Sequence, residues 1–136
     1  IEYDPAVIQL ASDYSVERLE FPVSIIEQDA AEWLAYHKQK YDLIVMDIFV
    51  DVITPSIFRT KEFTDALSDK LTKDGCLMYN FLDRNSEDKV EAKKYFNEVF
   101  KIYFPDGGML KAHHNLIFVN DVRQFKDSGN FLDPGL

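Results

Sequence analysis

Glycine, cysteine and long apolar runs are all scarce in this chain of 136 residues. The five glycines are scattered, and no G-x-G-x-x-G or G-x-x-x-x-G-K-[ST] sequence occurs, so the chain holds no glycine-rich loop of the kind that cradles phosphates. The single cysteine, Cys76, excludes an internal disulfide and suits a reducing compartment. No apolar run approaches the roughly 20 residues that a membrane-spanning helix needs.

Clustered positive charge is also missing. The chain carries 24 acidic residues against 15 lysines and arginines, which gives a net charge of −9. The basic residues are spread thinly, and Lys93-Lys94 is the densest pair. Because a surface that follows a phosphate backbone needs clustered cations, we expect no binding to nucleic acid. The single cysteine and the lack of a long apolar run lead us to expect a cytoplasmic protein that does not bind membranes.

The remaining composition is that of a soluble globular protein, with 46% hydrophobic and 29% charged residues. The length predicts a single domain with a sizeable core. We place this domain at residues 1–122. The tail at residues 123–136 contains Asp127-Ser128-Gly129 and Asp133-Pro134-Gly135, and we expect it to be irregular.

Hydrophobic periodicity predicts an alternating order of strands and helices. Helices are predicted over residues 6–14, 29–36, from Thr60 to about residue 71, and from Ser86 to about residue 99. Strands are predicted at the opening residues and over residues 23–27, 41–47, 76–82, 100–104 and 115–119. A loop spans residues 48–59, Lys73-Asp74-Gly75 forms a turn, and residues 105–108 join the last two strands. This order predicts an α/β fold with a mostly parallel sheet, helices on both faces and a terminal antiparallel strand.

The opening residues, Ile1-Glu2-Tyr3-Asp4-Pro5, have the pattern of a strand end followed by a helix. An acidic residue that closes a strand and precedes an apolar helix is typical of the second βα unit of a nucleotide-binding fold. We therefore expect that the first strand and its glycine-rich loop are absent from this chain.

The element order and four short motifs resemble the class I S-adenosylmethionine-dependent methyltransferase fold, and within it the spermidine synthase-like proteins. The motifs are Glu2-Tyr3-Asp4-Pro5, Gln28-Asp29-Ala30, Tyr41-Asp42-Leu43-Ile44-Val45-Met46-Asp47 and Lys73-Asp74-Gly75-Cys76, with Thr60-Lys61-Glu62-Phe63 opening a helix between the last two. The resemblance implies a spatial strand order of 3-2-1-4-5-7-6. It also implies S-adenosylmethionine or decarboxylated S-adenosylmethionine as the cofactor, provided that the full protein has the missing loop.

Three residues are candidates for cofactor binding. Glu2 ends a strand, where its carboxylate can accept hydrogen bonds from two ribose hydroxyls, although a solvated strand-end acid is the plainer interpretation. Asp29 can accept a hydrogen bond from an adenine amino group while Ala30 leaves room for the ring. An ordinary helix N-cap explains Asp29 equally well, and the two roles are compatible.

Asp47 is the candidate catalytic residue, since it ends the most apolar strand at the edge where open α/β sheets bind ligands. In the aminopropyltransferases that the chain resembles, the matching aspartate holds or deprotonates the attacking amine, a role suited to a carboxylate. Those enzymes continue with a D-P-x-G-P-like loop, whereas this chain continues Ile48-Phe49-Val50-Asp51. Asp51 could compensate only in part, so we expect a small-molecule acceptor other than a polyamine.

No metal site is predicted. His113 and His114 are adjacent, and neighbouring residues on a strand point to opposite faces, so they cannot chelate one ion together. We interpret them as surface or strand-end histidines.

Two further interpretations compete with methyl or aminopropyl transfer. The chain could be a non-catalytic binding or dimerisation module that retains the fold without the cofactor, and a homodimer is possible. A nicotinamide-dependent enzyme is the third interpretation, and the terminal antiparallel strand argues against it.

Overall fold

The structure is a computed structural model that describes residues 1–125 and 131–132. The chain divides into two compact units, Ile1–His37 and Lys38–Leu136, where the sequence predicts one domain over residues 1–122. Each unit is described by itself below.

The first unit consists of two helices and one pair of extended segments. Helix α1 spans Pro5–Tyr14 and helix α2 spans Ala30–Tyr36, with a short 3₁₀-helix over Val16–Arg18. Glu2 pairs with Glu27 in a parallel bridge, in which the Glu2 N–H donates to the Ile26 carbonyl at 3.0 Å. The strand predicted over residues 23–27 is thus reduced to this bridge.

Local sequence accounts for where α1 begins. The Asp4 side chain caps the helix by accepting a hydrogen bond from the Ala6 N–H at 2.8 Å. Pro5 follows in the first turn, where its missing N–H costs nothing. The predicted helix is therefore confirmed. Its apolar stripe is exposed, however, with Val7 at 45% and Leu10 at 59% of full exposure.

The second unit is built on a five-stranded mixed sheet. Its strands are β1 (Tyr41–Met46), β2 (Leu71–Leu82), β3 (Gly108–Ala112), β4 (Asn115–Val119) and β5 (Phe131–Leu132), in the spatial order β1-β2-β4-β3-β5. β1 pairs with β2 in parallel, and the other pairs are antiparallel. The order of β1, β2, β4 and β3 reproduces the 4-5-7-6 half of the strand order implied by the resemblance.

Helices cover one face of this sheet. They are α3 (Lys61–Asp69), α4 (Ser86–Tyr95), a π-helix over Phe96–Phe100 and α5 (Lys101–Tyr103), with 3₁₀-helices over Ser56–Arg59 and Val122–Phe125. The core between sheet and helices is aromatic: Phe118 on β4 lies 4.4 Å from Phe81 on β2 and 4.9 Å from Phe96, measured between ring centroids. Tyr95 at the end of α4 lies 5.3 Å from Phe81. Burial of these large rings is the main source of the unit's stability.

The opposite face of β1 is open. Met46 on the helix side is buried, whereas Leu43 and Val45 are 57% and 60% exposed. The prediction of helices on both faces of the sheet is therefore wrong at β1 for the described residues. A continuous apolar run indicates that both faces of a strand can be buried. It does not indicate whether residues of this chain bury them.

The strand predicted over residues 100–104 is helical. Phe96, Phe100 and Phe104 are spaced four residues apart and are all buried, and successive rings lie 5.5 and 4.7 Å apart along one helix face. This helical periodicity outweighs the local β-propensity of the aromatic residues. Strand β3 begins instead at Gly108, and the link to β4 is the turn at His113-His114 rather than residues 105–108.

Strand β2 begins five residues before its predicted start. Helix α3 ends at Asp69, and the pairing between β1 and β2 shifts register between Tyr41 and Leu43. The segment predicted as a turn, Lys73-Asp74-Gly75, lies in this bulged stretch. A Cβ at Gly75 would stand 3.0 Å from the Tyr41 carbonyl oxygen, so any other residue would require the neighbouring backbone to move by a few tenths of an ångström.

The predicted irregular tail is described only in part. Phe131–Leu132 pairs with β3, and the 3₁₀-helix ends at Phe125, so these residues are regular. Residues 126–130 and 133–136 lie outside the described residues, and the prediction stands untested there. Within the part of the chain that the structure describes, no helix combines the length and apolar character needed to cross a membrane.

Candidate functional site

Asp47 and Asn80 form a polar pair at the ends of two neighbouring parallel strands. Asp47 directly follows β1, and Asn80 lies near the end of β2. Val45 pairs with Met78 in the sheet register, so alternation puts residues 47 and 80 on the same open face. The Asn80 Nδ2 donates a hydrogen bond to Asp47 Oδ1 at 2.8 Å.

This hydrogen bond fixes how the Asn80 amide is oriented. A carboxylate can only accept hydrogen bonds, so the amide must present its NH₂ group to Asp47. The carbonyl end, Oδ1, is buried and has no hydrogen-bond partner among the described residues. An orphaned buried acceptor of this kind costs about 1–3 kcal/mol, and in a native structure it needs an explanation.

The pair thus has two uncommitted acceptors, an exposed one on Asp47 and the buried Asn80 Oδ1 directly beside it. Asp47 itself is exposed, and none of the described residues donates a hydrogen bond to its second oxygen. Carboxylate and amide oxygens side by side complement a group that carries several N–H donors and a positive charge, such as an ammonium.

The loop after Asp47 begins with a tight turn. The Val50 N–H donates to the Ile53 carbonyl at 3.0 Å, and the Ile53 N–H donates back to the Val50 carbonyl at 3.1 Å. Asp51 has a φ of 56° at this turn, a left-handed conformation that aspartate tolerates better than most residues. The turn therefore explains why an aspartate occupies position 51.

The far end of the loop is fixed by buried hydroxyl groups. Tyr79 Oη donates to the Phe58 carbonyl at 2.7 Å, and Thr64 Oγ1 donates to the Thr60 carbonyl at 2.7 Å. Because the Thr64 hydroxyl proton is committed to Thr60, Tyr95 Oη must be the donor in its 2.8 Å contact with Thr64. Burial raises the pKa of Tyr95 to about 12 and that of Tyr79 well above its usual value. Both therefore stay protonated and serve as structural donors.

The acidic candidates of the first unit, Glu2 and Asp29, are both held by backbone N–H groups. Glu2 Oε1 accepts from the N–H groups of Tyr3 and Asp4, at 2.8 and 2.9 Å. Glu2 and Glu27 are bridged in parallel, so Glu2 and Asp29 follow adjacent segments of the same direction. These contacts hold the Glu2 carboxylate in place at the end of its segment.

Asp29 is an N-cap. Its Oδ1 accepts from the N–H groups of Ala31 and Glu32, at 2.8 and 3.0 Å, and Ala30 is the first residue of α2. The capping interpretation is confirmed by these contacts. The adenine-binding interpretation stays a prediction.

The histidines lie in a turn rather than on a strand. His113 and His114 connect β3 to β4, and both are exposed. His113 has a φ of 53°. Among the described residues, the structure contains no group of three His, Cys, Asp or Glu side chains that could hold a metal ion.

Sequence reasoning missed Asn80. The available signal was its chemistry: it is the one amide in the otherwise apolar run Cys76-Leu77-Met78-Tyr79-Asn80-Phe81-Leu82. A polar side chain in an apolar strand needs hydrogen-bond partners. Asp47, which directly follows the neighbouring strand, is the partner of the Asn80 NH₂ group.

Comparison with known proteins gives one similar curated sequence and several similar structures. The chain is 26% identical over 112 residues to a probable polyamine aminopropyl transferase from Bifidobacterium longum, a match that covers 82% of this chain and 24% of that protein. It superposes on human methyltransferase-like protein 13 in complex with SAH with a TM-score of 0.68 and 20% identity, covering 88% of this chain and 58% of the other. For spermidine synthase from Thermotoga maritima the TM-score is 0.64 at 20% identity, with coverage of 87% and 42%. No family model matches.

These comparisons confirm the predicted fold. The chain has the class I S-adenosylmethionine-dependent methyltransferase fold, and its resemblance to spermidine synthase-like proteins is confirmed. The chain spans about a quarter of the curated relative and about half of the solved structures.

Proposed function

We propose that this chain is part of a transferase that moves a methyl group, or less favourably an aminopropyl group, from S-adenosylmethionine or its decarboxylated form to a small acceptor that bears N–H groups. The observation that carries this proposal is the Asp47–Asn80 pair, whose uncommitted acceptors stand at the ends of two parallel strands. Support for the reaction class comes from the similar curated aminopropyl transferase and from the fold.

The residues of the first unit fit the adenosine end of such a cofactor. Glu2 presents a carboxylate whose Oε1 is fixed by two N–H groups, which leaves Oε2 for ribose hydroxyls. Asp29 uses Oδ1 for capping and retains Oδ2 for an amino group. The cofactor would supply an electrophilic carbon bonded to a sulfonium.

The residues of the second unit act on the acceptor. An alkylammonium must lose a proton before its nitrogen can attack carbon, and Asp47 both attracts the cation and can accept that proton. The Asn80 carbonyl accepts a second N–H and so orients the nitrogen lone pair. Catalysis is then mostly positioning for an in-line displacement.

The loop after Asp47 argues against a polyamine. A polyamine is an elongated polycation, which needs several carboxylates along its length. The residues here are instead apolar and exposed: Val50, Val52 and Ile53 are 63%, 49% and 59% exposed. A charged chain lying against them would lose hydration without gaining a partner, so a shorter or less polar amine fits better.

The test is a product assay with the full-length protein. Incubation with decarboxylated S-adenosylmethionine and putrescine is expected to give no spermidine by mass spectrometry, whereas S-adenosylmethionine with a panel of primary amines should give a methylated product. Asp47→Asn and Asn80→Leu should each lower that turnover at least about tenfold. Lys73→Ala, at an exposed position in the β2 bulge, is the control and should leave turnover unchanged.

One outcome would contradict the proposed acceptor, and another would contradict the proposed site. Spermidine formation that disappears in Asp47→Asn would overturn the choice of acceptor while keeping Asp47 as the amine-binding base. Methyl transfer that is unaffected by both Asp47→Asn and Asn80→Leu would overturn the site.

A further inference from the structure

A cavity of about 350 Å³ lies in the second unit, between the loop that follows β1, the end of β2 and the first half of α4. Phe81 and Ala92, two of its lining residues, are buried on the helix-covered side of the sheet. Phe81 is adjacent to Asn80 on β2, so its side chain points to the opposite face from the Asp47–Asn80 pair. The cavity is therefore separate from that pair.

The lining of this cavity is amphipathic, and its polar groups outnumber the apolar ones. The loop supplies the apolar residues Phe49, Val52 and Ile53, whereas α4 and the residues just before it supply Arg84, Asn85 and three carboxylates. Pockets that bind small molecules begin at about 300 Å³. The cavity is therefore large enough for a small molecule that has both a polar and an apolar side.

The hydroxyl group of Thr54 lies at this cavity without a hydrogen-bond partner. Thr54 lines the cavity and is only 7% exposed, so the part of it that stays open faces the cavity. Its hydroxyl makes no hydrogen bond to a described residue, and it differs from the inaccessible Arg59 Nε because it keeps contact with solvent. The other buried threonine, Thr64, pairs its hydroxyl with Thr60 and Tyr95. A buried hydroxyl left open in this way is suited to a ligand that supplies the missing hydrogen bond.

Asn85 and Glu87 place a donor and an acceptor at the same wall. Asn85 Oδ1 caps α4 by accepting from the N–H groups of Glu87 and Asp88, both at 2.9 Å. The capping commits the oxygen, so the NH₂ group of Asn85 is the end that can donate to a ligand. The Glu87 carboxylate lines the cavity, pairs with no cation among the described residues and can only accept.

The two arginines of the lining are already paired with carboxylates. Arg59 contacts Glu91 at 2.9 Å, and Arg84 contacts Asp88 at 2.8 Å. Glu87 therefore leaves one negative charge in excess, and an entering carboxylate or phosphate would be repelled.

The uncommitted groups favour a neutral hydroxyl compound over a cation. An ammonium group would gain little from the exposed Glu87, because solvent screens that charge. It also has no acceptor for the Asn85 NH₂ group. A hydroxyl group both donates and accepts, so adjacent hydroxyls can satisfy the carboxylate and the amide together.

We propose that this cavity is a second ligand site, which takes an uncharged ring compound with adjacent hydroxyl groups. The hydroxyls exchange hydrogen bonds with Thr54, Asn85 and Glu87, and the carbon face of the ring packs against Phe49 and Phe81. The site goes beyond the proposed transfer reaction and does not depend on it.

The experiment titrates ¹⁵N-labelled full-length protein with three compounds that share a six-membered carbon ring, and it follows the backbone amides of Leu82 and Ala92 by NMR. The compounds are vicinal cyclohexanediol, cyclohexylamine and cyclohexanecarboxylate. Near neutral pH the amine can only donate hydrogen bonds and the carboxylate can only accept them, whereas the diol does both. We expect saturable shifts with the diol and none with the other two compounds at the same concentrations.

Variants test the hydrogen bonds one at a time. Thr54→Val removes the hydroxyl at nearly constant volume and should weaken binding of the diol about three- to tenfold, and Thr54→Ser should restore it. Glu87→Ala, at an exposed position, should weaken binding by a similar factor. Lys89→Ala, an exposed position of α4 outside the lining, is the control and should bind the diol normally. Unchanged binding in both Thr54→Val and Glu87→Ala, tighter binding of the amine or the carboxylate than of the diol, or no saturable shift with the diol would each overturn the proposal.

Discussion

Asn80 and Tyr79 are adjacent on β2 and illustrate opposite uses of a polar atom. Tyr79 is fully buried and its hydroxyl is satisfied by the Phe58 carbonyl at 2.7 Å. Asn80 satisfies its NH₂ group with Asp47, while its carbonyl oxygen has no partner among the described residues. The first arrangement stabilises the fold, whereas the second sacrifices stability at the place where a ligand would supply the missing donor.

Substitution at these two positions should therefore have contrasting effects on stability. Asn80→Leu removes an orphaned acceptor together with one exposed hydrogen bond, so the free energy of unfolding should stay the same or rise by about 1 kcal/mol. Tyr79→Phe leaves the Phe58 carbonyl unsatisfied and should lower the free energy of unfolding by about 1–3 kcal/mol. Chemical denaturation of both variants measures the contrast. A loss in Asn80→Leu as large as that in Tyr79→Phe would show that Asn80 is a structural residue.

The pKa of Tyr95 leads to a prediction at high pH. Burial raises this pKa to about 12 in the folded chain, against about 10 for an exposed tyrosine. Between these values the unfolded chain has released the proton and the folded chain has not, so the unfolded state binds fewer protons and stability falls as pH rises. The free energy of unfolding should thus decline from pH 10 to 12, and less steeply in Tyr95→Phe. Parallel slopes for the two proteins would contradict the buried, protonated Tyr95.

Sequence periodicity predicted most of the helices and strands. It failed where tertiary contacts determine the secondary structure. The 5–14 helix, the α2 N-cap at Asp29 and the strand ending before Asp47 follow from local patterns of capping and apolar spacing. The stretch from Phe100 to Phe104 was misassigned as a strand. Its aromatic residues have strand propensity, but their four-residue spacing from Phe96 places them on one helix face. Asn80 is visible in the sequence as the one amide in an apolar run, but its pairing with Asp47 follows only from the β1–β2 register.

Substitution of Gly75 in the β2 bulge tests whether this glycine is needed for the pairing of β1 with β2. Gly75→Ala would place a Cβ 3.0 Å from the Tyr41 carbonyl oxygen and 3.1 Å from backbone atoms of Thr72. The backbone must shift to relieve these contacts, so we expect a loss of about 1–3 kcal/mol in the free energy of unfolding. Asp74→Ala, at the exposed neighbouring position, is the control and should change stability by less than about 0.5 kcal/mol. Equal stability of the two variants would contradict the close approach.

At the scale of the whole molecule, the second unit reproduces the 4-5-7-6 half of the family's strand order. Among the described strands, β1 pairs only with β2, so its other edge has unpaired backbone groups beside the exposed Leu43 and Val45. Open edges next to an apolar face favour association. This edge of β1 is therefore suited to pairing with a further strand.

The 136-residue chain by itself should consequently self-associate. Sedimentation velocity is expected to show concentration-dependent oligomers, and Val45→Lys should shift the distribution toward monomer by placing a charge on the open face. Lys73→Glu, which changes a surface charge away from that face, is the control. A monodisperse monomer of the unmodified chain at high concentration would contradict this expectation.

We propose that this chain contributes the adenosine-binding acids and the acceptor-binding pair of a sulfonium-dependent transferase. The most direct measurement is isothermal titration calorimetry of the full-length protein with S-adenosylmethionine and with its decarboxylated form. We expect binding of at least one of them, weakened by about 1–3 kcal/mol in Glu2→Ala, the loss expected for charge-assisted hydrogen bonds. The exposed Glu20→Ala control should bind normally. Absence of binding to either compound, or equal affinity in Glu2→Ala, would contradict the account.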